Sequence, residues 1–138
     1  MDRIYAVIGL GYVGLELAVA LSDHFHITGY DISKKRIEQL KKGYDENKII
    51  DKKQLQQSSI EYTDDIANIK MANFFIISVP TPAYYYEHPN LEFLVNVTTD
   101  LAKIIKKGDI LVYESTVYPG TTEEICIKII EDISPLKC

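Results

Sequence analysis

Two hydrophobic patterns alternate along this chain. Short runs of consecutive apolar residues read as strands buried on both faces, and between them apolar residues return every three or four positions, as on one face of a helix. Residues 3–8 predict a first strand and 12–23 a first helix, with Leu15, Ala18, Val19 and Leu21 on its apolar side. Residues 26–30 predict a second strand, and 33–42 a helix with Ser33 as N-cap, Ile37 and Leu40 facing inward and Gly43 as its stop. The stretch 44–58 has no clear period and room for one helical turn around 52–56. A third strand follows at 60–62, a short helix capped by Asp64 at 64–70, and a strongly apolar strand at 73–79 that Pro80-Thr81-Pro82 ends. A helix over 91–107, closed by Lys106-Lys107-Gly108, leads to a fifth strand at 110–113. Thr121 and Glu124 make a capping box for a last helix with Ile125, Cys126, Ile129, Ile130 and Ile133 inward. With right-handed crossovers, this alternation gives an α/β fold: a doubly wound parallel sheet in the order 3-2-1-4-5, helices on both faces.

Composition narrows the class. At 138 residues, 46% hydrophobic and 25% charged, the chain fits one globular domain with a core of its own. Its apolar runs are of strand length and no basic start precedes a long apolar stretch, so neither a signal peptide nor a membrane span is expected and the default location is cytoplasmic. A net charge of −5, with lysines scattered among acids, argues against nucleic acid as a partner. Two cysteines, Cys126 and Cys138, are too few for a disulfide framework. The first reads as a small core residue and the second as a terminal thiol. His24 and His26 lack a third ligand and Asp64-Asp65 stand where caps belong, so no metal site is expected.

The candidate chemistry begins where the first strand ends. Gly9-Leu10-Gly11-Tyr12-Val13-Gly14 is a G-x-G-x-x-G turn between strand and helix, the order that binds dinucleotides. Gly9 permits the tight turn, Gly11 lets a pyrophosphate lie against bare backbone, and Gly14 lets the helix pack close to the strand. The phosphates then meet the positive end of the helix. Asp31, 17 positions beyond Gly14 at the end of the second strand, is placed to accept hydrogen bonds from the adenosine ribose and to repel a 2′-phosphate. That favours NAD. Lys34, Lys35 and Arg36 follow at once, and an arginine there is how some sites accept NADP, so Arg36 joins the cofactor-binding candidates.

Three segments, Gly9 to Leu15, Ser78-Val79-Pro80-Thr81-Pro82 and Glu114-Ser115-Thr116-Val117-Tyr118-Pro119-Gly120-Thr121-Thr122, resemble in order and approximate spacing those of the N-terminal NAD-binding domain of the UDP-glucose / UDP-N-acetylhexosamine 6-dehydrogenase family. The third is closer to the branch that oxidises UDP-N-acetylhexosamines, precursors of surface polysaccharides. The resemblance implies a Rossmann fold and oxidation of a sugar C6 alcohol to a carboxylate in two NAD-dependent steps, through a cysteine-bound intermediate. It implies that Tyr12 and Val13 present backbone to the pyrophosphate, that Asp31 holds the ribose, and that Thr81 contacts the nicotinamide half. Thr116 would sit beside the nicotinamide and the reacting carbon in a supporting catalytic role, with Glu114 orienting that strand end.

The same resemblance covers the first domain of a longer family chain. The family's nucleophilic cysteine and most UDP-sugar contacts lie beyond residue 138, so the chain is expected to be a truncated piece that binds NAD without turning over sugar, from a protein that is a homo-oligomer at full length. Two departures stand out: Glu16 where the family usually has proline, expected to face away from the pyrophosphate, and three tyrosines at 84–86. Two other readings remain open from the residues alone. One is a 3-hydroxyacid or 6-phosphogluconate type dehydrogenase domain, and the other a nucleotide-sensing domain without catalysis.

Overall fold

A computed structural model of the chain describes residues 2–80, 91–114 and 122–138. Five strands, β1 (Tyr5–Ile8), β2 (Ile27–Tyr30), β3 (Ile60–Thr63), β4 (Phe74–Ile77) and β5 (Ile110–Tyr113), form one parallel sheet in the order β3-β2-β1-β4-β5. This is the order read from the sequence. The reason lies in the strands themselves: Ala6 and Ile8 of β1, with Phe75 and Ile77 of β4, point into one core, whereas Val7 and Ile76 point into the other. Strands buried on both faces need helices on both faces.

On one side lie α1 (Tyr12–Ser22), α2 (Lys34–Lys41) and α3 (Lys52–Gln57), which bring Leu15, Ile37 and Leu55 to the core around Val7 and Ile27. On the other, α4 (Glu92–Ala102) and the turn leading into α5 (Lys128–Ile133) cover Phe75 and Ile77 with Leu94, Val97, Leu101 and Cys126. The register brings the strand ends level. Ile8 stands opposite Tyr30 and Ile77, Tyr30 opposite Thr63, and Ile77 opposite Tyr113, so the strands end in one row. The next residues, Gly9, Asp31, Asp64, Ser78 and Glu114, therefore line the C-terminal edge of the sheet. Four of them extend the ladder by one bond, including Gly9 N–H to Tyr30 O at 2.8 Å and Ser78 N–H to Ile8 O at 2.7 Å.

Where the elements differ from the sequence reading, a side chain has taken over a backbone partner. β1 starts at Tyr5 because the Asn73 side chain accepts the Ile4 N–H at 2.8 Å. The helix expected at 64–70 is a 3-10 turn, Ile66–Ile69, and Asp65, not Asp64, caps it by accepting the Ala67 N–H at 3.0 Å. α4 stops at Ala102 instead of 107. Beyond it, Asp109 accepts the Lys106 N–H at 2.8 Å, a local bond that competes with helix, while the Lys106 ammonium donates to the carbonyls of Lys70 and Ala72. The unpatterned stretch holds a six-residue α3, capped by Asp51 through the Gln54 N–H. The last helix begins as a π-helical stretch, Thr122–Ile127, before α5. Its wider turn rotates the apolar face, so Cys126 and Ile130 are buried while Ile133 is 42% exposed and Ile125 and Ile129 are half-buried. Thr121 of the expected capping box lies outside the described residues.

Candidate functional site

The turn after β1 is built for close approach. Gly9 has φ +91°, and a Cβ there would lie 2.6 Å from the Ser78 carbonyl oxygen on the neighbouring strand. Gly14 is tighter, since a Cβ would fall 1.7 Å from the Gly9 carbonyl oxygen. Helix α1 thus rests directly on the turn. Gly11 is different, because nothing among the described residues lies within 4 Å of where its Cβ would be. It is exposed, it stands at the N-cap of α1, and no side chain among the described residues caps that helix. Tyr12 and Val13, in the first turn, are 64% and 59% exposed. The helix itself leaves the N–H groups of this turn unpaired, and the exposed backbone at Gly11, Tyr12 and Val13 fits an anionic group cradled by backbone. Gly11→Ala should separate folding from binding: stability stays within about 1 kcal/mol, since the position is open and needs no positive φ, while affinity for a dinucleotide falls at least about tenfold because the Cβ fills the cradle. Thermal unfolding and a ligand titration of the same variant would read both.

Asp31 stands next to this turn with its carboxylate already oriented. Oδ2 accepts the Leu10 N–H and Oδ1 the Ser33 N–H, both at 2.9 Å. A carboxylate has about four acceptor sites, so two remain for donors of a ligand. Arg36 does not lie on the surface with Lys34 and Lys35. It is 7% exposed, its Nε donates to the Leu10 carbonyl at 2.8 Å, and its Nη1 donates to Asp45 at 2.9 Å. The arginine thus braces the glycine turn from beneath, through Leu10. Asp45 also accepts the N–H groups of Asn47, Ile49 and Ile50. Burial alone would push its carboxyl upward, but the hydrogen bonds from Ile50, Arg36 and Asn47 outweigh it and hold the group below its ordinary value.

A cavity of about 340 Å³ opens between the turn and α4. Gly9, Gly11 and Asp31 form one wall, and Asn96 and Asp100 of α4 another. Ile32 and Phe93 also line it, and they are 76% and 46% exposed. Tyr30 lies in the same lining; burial, then the charges of Asp100 and Asp31, raise its phenol above the ordinary value. The periodicity of the fourth helix marked its apolar face but gave no sign that Asn96 and Asp100, one turn apart, reach this cleft. A larger cavity of about 560 Å³, beside β5 and the C-terminal segment, is lined by both cysteines but by no residue of the glycine turn.

Gly9, Gly11, Tyr12, Val13, Gly14 and Asp31 are therefore brought together at one sheet edge, with Arg36 behind them. Thr81, Thr116 and the tyrosines at 84–86 lie outside the described residues. Glu114, at the end of β5, is exposed. Glu16 is exposed too and does not line the cleft.

Comparison with known proteins gives a consistent picture. A sequence model of the UDP-glucose/GDP-mannose dehydrogenase family, NAD binding domain, matches residues 3–137. Protein CapL of Staphylococcus aureus is 43% identical over 138 residues, all of this chain and 32% of that protein. UDP-N-acetyl-D-glucosamine 6-dehydrogenase of Pseudomonas aeruginosa is 42% identical over 137 residues, 99% of this chain and 32% of its own length. Among solved structures, UDP-D-ManNAc dehydrogenase from Pyrococcus horikoshii superposes with a TM-score of 0.88 at 30% identity, covering 97% of this chain and 33% of that one. The chain spans about a third of the length of the relatives it matches.

Proposed function

The chain belongs to the UDP-glucose/GDP-mannose dehydrogenase family, as its NAD-binding domain, and from that premise we propose that it holds NAD for the oxidation of a UDP-sugar, a UDP-N-acetylhexosamine before others, at its C6 alcohol. The observation that carries this reading is the shared edge: a helix N-terminus that no described side chain caps, at the exposed Gly11, beside a carboxylate with both oxygens already aligned. When bound, the cofactor supplies the hydride acceptor. The chain's own residues bind and orient it. The backbone of Gly11, Tyr12 and Val13 meets the pyrophosphate, Asp31 accepts from the ribose hydroxyls, and Arg36 acts as a positioning residue by fixing the Leu10 carbonyl. Thr81 and Thr116 are assigned to the nicotinamide half, Thr116 beside the reacting carbon, by their likeness to the family's segments. The choice of an N-acetylated sugar is supported by relatives that carry such substrates in their names. Self-association of this chain by itself belongs to the same reading, supported by the position of β5 at the sheet edge with its four residues all half-buried, and it is distinct from the homo-oligomer assigned to the full-length protein. The whole 138-residue chain is read as this one domain, with the sugar contacts and the nucleophilic cysteine assigned to other parts of the family chain.

Thermal unfolding with added dinucleotide tests it. NAD at about 100 times its dissociation constant should stabilise the chain by about 2.7 kcal/mol, which raises the midpoint by several degrees. NADP should leave it unchanged, because a 2′-phosphate would meet the Asp31 carboxylate. Equal shifts with both would remove Asp31 from the role given to it. No shift with either at millimolar concentration would remove the whole reading.

A further inference from the structure

The cleft holds two carboxylates, although its ligand is an anion. Asp31 is accounted for by the ribose. Asp100 is not, and it lies on the opposite wall, on α4, one turn beyond Asn96. An ionised carboxylate only accepts hydrogen bonds, so a ligand group that reaches Asp100 in this cavity has to be a donor. Beyond the ribose hydroxyls, the adenosine half of a dinucleotide offers one such group, the exocyclic amino group of adenine. Shape points the same way. Ile32 and Phe93, 76% and 46% exposed, line the cavity of about 340 Å³ and leave apolar surface in it that a flat purine would cover. Lys103, just past the end of α4, sits 3.7 Å from Asp100 and leaves it open to a second partner, since both side chains remain substantially exposed at 61% and 44%.

We infer that the α4 face of this cleft reads the purine base: Asp100 accepts from the 6-amino group of adenine and the Asn96 amide pairs with a neighbouring ring nitrogen, so that the site selects adenine over a 6-oxopurine. A 6-oxopurine presents a carbonyl where adenine presents an amino group. Its oxygen would face the Asp100 carboxylate, acceptor against acceptor. The inference rests on the reading of the cleft as an NAD site and extends it from the cofactor class to the base.

Calorimetric titration of the chain with NAD and with nicotinamide hypoxanthine dinucleotide, which differs from NAD at the 6-position, tests it. The unmodified chain should bind NAD at least about tenfold more tightly, the size expected for a hydrogen bond to a charged group. Asp100→Asn, whose amide can turn to donate or accept, should bring the two affinities within about threefold of each other. Asn96→Ala should weaken both ligands and keep their order. Asp100 is on the helix surface, and circular dichroism of each variant gives the folded concentration used in the fit. If NAD binds but the two ligands are not distinguished, or if Asp100→Asn keeps the full preference, base reading by α4 is wrong and the NAD site stands. If neither ligand binds, both fall together.

Discussion

Gly14→Ala is expected to cost about 3 kcal/mol or more and to abolish dinucleotide binding with it. The added methyl carbon would fall 1.7 Å from the Gly9 carbonyl oxygen, which is backbone and cannot rotate away. Either α1 lifts off the sheet, uncovering Leu15, Ala18 and Val19, or the turn opens and Gly9 loses its bond to Tyr30 O. For a chain of this size the loss corresponds to a midpoint lower by roughly 10 °C or more, measurable by circular dichroism. A variant that melts within about two degrees of the unmodified chain would mean that α1 is not seated on the turn. Set beside Gly11→Ala, which should fold and fail to bind, the pair tells apart two glycines that look alike in the motif.

The second large effect belongs to a residue with no place in the glycine motif. Asp45→Ala removes the partner of a guanidinium that is already nearly buried, and one nitrogen of that group, Nη2, has no partner among the described residues. Breaking a buried pair from one side typically costs about 3–5 kcal/mol. Here the loss also frees three backbone N–H groups of the 47–50 loop. The pH dependence has a definite sign. Because the Asp45 carboxyl is held below its ordinary value in the folded state, its contribution is present in full above about pH 4 and is lost as the pH falls through the lowered folded value. Urea unfolding midpoints measured between about pH 2 and 5 should therefore fall less steeply for Asp45→Asn than for the unmodified chain. Parallel curves would show that the carboxyl is not preferentially ionised in the folded state.

Much of this fold was legible because the signals are local. Strands such as β4, Phe74–Ile77, are continuously apolar, a pattern that burial on both faces produces, and Ser33 and Gly43 mark the bounds of α2 as their chemistry requires. Asp31 could be placed by spacing, since it follows directly from the end of β2. The Asp45 loop could not. Residues 44–51 are ordered by one carboxylate that gathers N–H groups and a distant guanidinium, and such a hub leaves no period in the sequence. Arg36 misled for a related reason: in a run of cations after the second strand it reads as a partner for a cofactor phosphate, and only the fold shows that the carbonyl of Leu10 lies beneath the glycine turn and draws it inward. The polar residues of α4 were hidden by the same helical face that revealed the helix. Periodicity tells which positions turn toward the protein, and a cleft is part of that direction.

Leu10 joins these observations. Its N–H is held by Asp31 and its carbonyl by Arg36, so the peptide units in the middle of the glycine turn are fixed from both sides before any ligand arrives. The loss of chain entropy in that turn therefore belongs to folding and is absent from the binding step. A dinucleotide arriving at such a turn has no loop to order, and its association rate is set by diffusion and by the repulsion between an anion and a protein of net charge −5. The on-rate should rise with added salt, as screening weakens that repulsion, while the turn itself stays as it is.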